Sequence, residues 1–344
     1  MAEADPNAPK SPTEGTGKSA KTLTVPASLD GARLDKALTI LAEVSRSGAK
    51  ALLETGVRVN GKRAVKGSVV HADDVLEIAS GEEEIDPHAL PDPEIELDIR
   101  LETESVIVVH KPPRLASAPL RGGERGTLAN GLVARFPEIA GVGTDPREPG
   151  LVHRLDTDTS GLVVVARNQA AYEELKSALR DGKVEKHYLA IVAPGAGSSR
   201  AASVSSDGDL ADKGTIDVPL APHPKDKRRV FACVHPRDVA RLAPRDARTE
   251  YKIVRRFETP EGDPRALVDA TAKKALRHQI RVHFAAIGAP LVGDGLYGGP
   301  SAPELGRHAL HASKVSYPGG KVVKPFVIEA ALPEDLAALL PAQG

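Results

Sequence analysis

Residues 81–93 read GEEEIDPHALPDP, an acid run followed by three prolines. Like charges repel one another, and proline fixes φ and has no N–H to give, so neither a helix nor a sheet ladder runs easily through such a stretch. It is expected to act as a linker, dividing the chain into a small body over 22–80 and a larger one over 94–336. The 344 residues leave room for both, because one compact core usually takes roughly 100–200. Residues 1–21, rich in Ala, Pro, Ser, Thr, Gly and Lys, cannot bury enough surface to offset chain entropy and are expected to be a disordered tail, with a short tail over 337–344.

Several function classes fall away on composition. Cys233 is the only cysteine, so neither an internal disulfide nor a cysteine-held metal cluster can form, and a reducing, cytoplasmic setting is expected. The start of the chain has no apolar targeting segment, and no run of about 18 apolar residues offers a membrane span. The net charge of −1 hides strong local fields. Residues 33–64 and 221–256 are dominated by Lys and Arg, whereas residues 82–104 carry acids and a single basic residue, Arg100. Solvated surface charge would suffice to explain this if no motif accompanied it.

In the small body, Leu34, Leu38 and Leu41 recur at helical spacing, and a second helix is expected from Ser45 through Leu52 and Leu53. Val57-Arg58-Val59-Asn60-Gly61-Lys62 alternates and then reaches Asn-Gly, the signature of a strand entering a tight turn. Val69, Val75, Leu76 and Ile78 would supply the closing strands.

In the larger body, strand-like Ile95 to Leu101 and the apolar Val106 to Val109 lead to Lys111-Pro112-Pro113, where proline stops the ladder. Residues 195–212, rich in Gly, Ser, Ala and Asp, are expected to be an exposed loop. The densest polar stretch is His153-Arg154-Leu155-Asp156-Thr157-Asp158-Thr159-Ser160-Gly161, set directly before the apolar run Leu162 to Ala166. A polar loop feeding a buried strand suits a site held on a rigid scaffold. The kinase catalytic loop does not fit, because Leu155 separates Arg from Asp, and no glycine-rich phosphate loop is present. Taken alone, Asp156 reads as a turn or capping residue, and His153, His278 and His283 as satisfied interior histidines.

The polar stretch resembles the signature of the pseudouridine synthases that act chiefly on large-subunit ribosomal RNA and some transfer RNAs. Further blocks follow in the family's order. They are Lys186-His187-Tyr188-Leu189-Ala190, His278-Gln279-Ile280-Arg281-Val282-His283, Gly288-Ala289-Pro290-Leu291-Val292-Gly293-Asp294 and His308-Ala309-Leu310-His311-Ala312. The small body resembles the RNA-binding module of the S-four type, named after a ribosomal small-subunit protein. The two resemblances imply an α+β catalytic domain on a mixed, mainly antiparallel sheet, joined to that module.

They also imply an enzyme that isomerises uridine in structured RNA, most plausibly ribosomal, with no cofactor and no metal. Asp156 would be the nucleophile or the group that promotes glycosidic cleavage, Arg281 the guanidinium that keeps it ionised, and Tyr188 the aromatic against the bound base. Arg154 would fill the stack vacated by the extruded base. Arg46, Lys50, Arg58, Lys62 and Arg63 would meet RNA phosphates. Lys274-Ala275-Leu276 stands where the family commonly has Thr-Gly-Arg, and on a strand Arg277, one step later, would face the other way. Two other readings fit the same blocks: a non-catalytic RNA-binding or ribosome-assembly factor that keeps the fold, and a transfer RNA synthase.

Overall fold

The computed structural model describes residues 20–42, 44, 46–65, 67–79, 86–196, 210–273 and 276–341. The tail up to residue 19, Ser45, Lys274, Ala275, most of the linker's acid run and most of the loop expected over 195–212 lie outside them, as does the Arg46 side chain. Two units emerge, one ending at Ile85 and the other beginning at Asp86. Among the described residues no helix is long and apolar enough to cross a membrane.

The first unit opens with β1 (Ala20–Thr24) and β2 (Ala32–Arg33), followed by α1 (Leu34–Leu41) and α2 (Arg46–Thr55). Leu34, Ala37 and Leu38 share one face of α1 and pack against Val57, Val70 and Leu76 in a common core. β3 (Val57–Val59) and β4 (Lys62–Arg63) are joined by Asn60 and Gly61, both with left-handed φ, +50° and +76°. Two such residues in succession make the turn whose twist matches a hairpin. The Asn60 side chain also binds outward, donating to Asp74 at 2.7 Å and accepting the Val75 N–H at 2.8 Å. β5 (Val69–Val70) pairs with β2, and β6 (Val75–Ala79) lies between β1 and β3 in the order β1-β6-β3-β4. Arg58, Lys62 and Arg63 are exposed on the hairpin, and Lys50 is exposed on α2.

The second unit holds the larger sheet. β7 (Asp98–Glu102) starts later than the expected Ile95, because Ile95 sits in a turn and packs where Gly131 leaves room for it. β8 (Val106–Lys111) is buried at every position but His110, and after α3 (Leu128–Arg135) β9 (Ser160–Ala166) is buried throughout. Continuous apolar runs of this kind belong to strands covered on both faces. Next come α4 (Gln169–Arg180), β10 (Glu185–Val192), β11 (Lys213–Asp217), β12 (Leu220–Pro222), β13 (Val230–Ala232) and α5 (Pro236–Leu242). β14 (Arg248–Glu258), β15 (Pro264–Thr271), α6 (Gln279–Ala286), β16 (Leu310–Tyr317), β17 (Phe326–Glu329) and α7 (Glu334–Ala337) complete the unit. The main sheet runs β11-β14-β15-β10-β16-β9-β8-β7, with β17 against β16. It is mixed and mainly antiparallel, as expected from the resemblance, and its parallel pair is β16 with β9.

That parallel seam positions the polar loop. At the start of β9, Gly161 has φ +123° and stands opposite Ala312, and a Cβ on it would lie 2.3 Å from the Ala312 carbonyl oxygen. Only glycine lets the two backbones meet there, so residues 153–159 emerge at the seam beside the segment that leads into β16. Gly161→Ala is therefore expected to lower stability by about 3 kcal/mol or more, through both strain and overpacking. Urea denaturation followed by circular dichroism checks this, and a loss below about 1 kcal/mol would contradict the close approach.

Candidate active site

The loop ahead of β9 is gripped almost residue by residue. The Ser117 hydroxyl accepts the Leu155 N–H at 3.1 Å and donates to the Leu155 carbonyl at 2.7 Å. Lys111, the last residue of β8, is fully buried and donates to the carbonyls of Pro112, Leu115 and Thr157 at 2.8, 2.8 and 3.0 Å. Burial pulls its pKa down to about 7, with Asp158 and Asp156 opposing. Three carbonyl acceptors match the three N–H bonds of an ammonium, which argues for the charged form. The Arg307 guanidinium donates to the Asp158 carbonyl at 3.2 Å while Asp335 holds its other edge at 2.7 and 2.9 Å. Thr159 is tied to His308 Nε2 at 2.7 Å. A loop with so many fixed points holds the backbone at Asp156 in place, and leaves the Asp156 side chain to reach its partners across the cleft.

Asp156 meets α6. Arg281 donates from Nη1 to Asp156 Oδ2 at 2.8 Å, and from Nε and Nη2 to the two oxygens of Asp294 at 2.7 and 2.9 Å. The Asp294 side chain is 1% exposed, whereas that of Asp156 is 25% exposed. Burial works to raise the Asp156 pKa, but nearby positive charge outweighs it and the pKa lies below the ordinary 3.8. His278 and Arg281 are the main groups that lower it, and because burial lowers the pKa of His278 itself, Arg281 is the one of the two that stays charged at pH 7. Asp156 Oδ1 takes no hydrogen bond among the described residues, and the side chain lines the cleft.

These groups line a cleft of about 900 Å³ together with Tyr188, Ile280, His308, Arg154 and Arg228. Tyr188 projects from β10 beside a register irregularity between His187 and Tyr188. Its hydroxyl pKa is raised, chiefly by burial and further by Asp156, so it stays a neutral phenol. Arg154 is 58% exposed and pairs with Glu148. The structure thus brings Asp156, Arg281, Tyr188 and Arg154 to one cleft. Lys50, Arg58, Lys62 and Arg63 belong to the first unit.

One sequence expectation needs correction, that for Arg277. His278 is nearly buried and hydrogen-bonded to Tyr297, and its Nε2 stands 3.7 Å from Asp156 Oδ2 where both line the cleft. His283 is interior, held between the Thr249 hydroxyl and the Val218 carbonyl. His153 accepts the Val164 N–H and lies behind the loop. Residues 276–278 form the turn into α6 rather than a strand, so the face reversal expected of Arg277 does not apply. Its guanidinium donates instead to the carbonyls of Lys227 and Arg228 at 3.0 and 2.8 Å. Sequence reasoning assigned no role to Asp294, Lys111, Ser117, Tyr297 or Arg307. Asp294 was visible in the Gly293-Asp294 block, and Lys111 as a charge closing an apolar strand, while the other three carried no local signal. Among the described residues no group of three His, Cys, Asp or Glu side chains could hold a metal ion.

Comparison with known proteins agrees with this geometry. A family model described as RNA pseudouridylate synthase matches residues 105–286. Ribosomal large subunit pseudouridine synthase D of Nitrosomonas europaea is 33% identical over 330 residues, covering 93% of this chain and 87% of that protein. An uncharacterized RNA pseudouridine synthase of Bacillus subtilis is 33% identical over 316 residues, covering 90% and 93%. Among solved structures, human RNA Pseudouridylate Synthase Domain Containing 1 superposes with a TM-score of 0.51 at 24% identity, covering 72% of this chain and 91% of that one. That likeness concerns the fold.

Replacing Arg281 by Met leaves Asp156 and Asp294 without their shared cation, and a loss of about 3–5 kcal/mol is expected at pH 7. The sign with pH follows from the direction of the shift. A carboxylate whose folded pKa lies below 3.8 stabilises the fold above that value and ceases to do so as pH falls through its folded pKa. In Arg281→Met the carboxyl pKa rises, so the gap between wild type and variant is widest at neutral pH and narrows in acid. Denaturation curves recorded from pH 7 downward measure it, and a gap that widens in acid would contradict the assignment.

Proposed function

The chain belongs to the RNA pseudouridylate synthase family, and from this premise we propose that it converts uridine to pseudouridine in large-subunit ribosomal RNA with Asp156 as the acting carboxylate. Isomerisation breaks the bond from N1 of uracil to C1′ of ribose, turns the base, forms the C5–C1′ bond and moves the C5 proton away while N1 regains one. Atoms and electrons balance within the nucleotide. A carboxylate that stays ionised once the base has entered the cleft is what such a sequence needs for attack or charge stabilisation.

The observation that carries the reading is the Asp156–Arg281 contact at 2.8 Å, which anchors one carboxylate oxygen of a side chain that lines the cleft. Tyr188 offers an aromatic surface beside it, and contact between a base and an aromatic side chain is worth about 1–3 kcal/mol. Extruding a base from a stacked RNA costs a few kcal/mol, and Arg154, an exposed side chain lining the cleft, would occupy the gap left behind. Large-subunit ribosomal RNA as the substrate rests on the relative from Nitrosomonas europaea, whose printed name specifies it. The exposed cations Lys50, Arg58, Lys62 and Arg63 of the first unit add a sequence-independent grip on phosphates, and Arg46 would join them.

Asp156→Asn preserves size and removes the charge. Pseudouridine formation on ribosomal RNA transcripts, mapped chemically, is expected to fall by about 10⁴-fold or more, with RNA affinity close to wild type. Undiminished product from Asp156→Asn would sink the role of Asp156. Product from the wild-type protein on transfer RNA alone would move the substrate assignment and leave the chemistry in place.

A further inference from the structure

Between β12 and β13 the chain turns through His223-Pro224-Lys225-Asp226-Lys227-Arg228-Arg229, a strongly basic loop. It is a built element. His223 Nδ1 accepts the N–H groups of Lys225 and Asp226, and Asp226 pairs with Arg228 at 3.0 Å. Arg228 is 82% exposed and lies on the cleft. The loop is fastened at two points. Arg277 donates to the carbonyls of Lys227 and Arg228, and the Val230 N–H donates to the Tyr297 hydroxyl at 2.8 Å.

The second fastening continues inward. The Tyr297 hydroxyl lies 2.9 Å from His278 Nδ1, and its ring contacts the guanidinium groups of Arg229 and Arg281 at 5.6 and 5.2 Å. The backbone N–H of Val230 can only donate, so the Tyr297 hydroxyl accepts from it, and its single O–H is left to donate a hydrogen bond to His278 Nδ1, the arrangement on which the proposal below is built. In that arrangement the proton of the neutral imidazole sits on Nε2, the atom that faces Asp156 Oδ2 at 3.7 Å. Charged and titratable groups around His278 are Asp156, Arg281, Arg277, Asp294 and Tyr297, and burial keeps the Tyr297 phenol protonated by raising its pKa. The backbone of His278 is left-handed, at φ +56°, a conformation that costs about 1–2 kcal/mol outside glycine and persists where the surroundings enforce it. Here it turns the ring between Tyr297 and the carboxylate.

We propose that Tyr297 and His278 are positioning residues that couple the seating of RNA on the basic 223–229 loop to the orientation of Asp156. RNA phosphates drawn to Lys225, Lys227 and Arg228 press on a loop whose end is bonded to Tyr297, and movement there carries His278 Nε2–H toward hydrogen-bonding distance of Oδ2. The proposal rests on the reading of Asp156 as the acting carboxylate.

The test compares the full-length wild type, Tyr297→Phe, His278→Asn and the double variant on a ribosomal RNA transcript that the wild type modifies. Asn tolerates the left-handed backbone, and Phe keeps the ring between the two guanidinium groups. Single-turnover rates at saturating RNA and RNA dissociation constants are measured separately, and the His278 tautomer is read by ¹⁵N NMR. Each single variant is expected to slow the chemical step about tenfold, equivalent to about 1.4 kcal/mol. The double variant should be no slower than the slower single one, because both act through the same ring. Tyr297→Phe should also release the Nε2–H tautomer into a mixture. Rate effects that multiply, a defect confined to RNA affinity, or an unchanged tautomer in Tyr297→Phe would each overturn the coupling. A wild-type protein that makes no pseudouridine in any RNA would overturn the functional reading instead.

Discussion

Arg281 shared between Asp156 and Asp294 is the contact on which the second unit's site depends. It joins positions 125 and 13 residues apart, so the polar loop before β9, helix α6 and the 291–297 segment meet at one planar group. A guanidinium can do this because its donors point in fixed directions, two edge-on to Asp294 and one to Asp156. Lysine could satisfy one carboxylate and would leave the other buried and unpaired. The two acids are also unequal in exposure, so the pair divides its labour. Asp294 orients the cation, and Asp156 uses it.

The sheet supplies the second constraint. β16 and β9 run parallel, and the loop of Asp156 arrives at the start of that seam because Gly161 allows the two backbones to touch. A tight seam fixes where the loop begins, but not its path. That path is set by cations placed against backbone carbonyls, Lys111 on Thr157 and Arg307 on Asp158, together with Ser117 on Leu155. Buried charges used in this way are expensive to desolvate, and they hold geometry more than they add stability. The loop needs no reorganisation when substrate enters.

Sequence made the local parts of this arrangement legible. Asn60-Gly61 announced the hairpin of the first unit, and the apolar runs at β8 and β9 announced buried strands. Asp156, Tyr188 and Arg281 were named through ordered blocks, and in the structure they share one cleft. What stayed hidden is long-range. Arg307 reaches Asp158 across 149 residues, and Val230 reaches Tyr297 across 67. No period or local spacing encodes such a meeting. Arg277 was misjudged because strand alternation was assumed for a segment that turns into a helix, so the missing information was the direction of a side chain set by a turn.

The electrostatic balance explains why the carboxylate is held by an arginine rather than by the histidines around it. His278 and His308 both lose basicity on burial, His308 to about 4, so at neutral pH they contribute orientation and little charge. A base entering the cleft displaces water from Asp156 and pushes its pKa upward. At 2.8 Å and an effective dielectric of about 20, a full positive charge attracts the carboxylate by about 6 kcal/mol, enough to offset a rise of roughly four pKa units. Arg281 stays protonated whatever enters, since no neutral form of it is accessible. The carboxylate therefore keeps its charge at the moment the site becomes driest, and the neutral imidazole of His278 is left free to direct it.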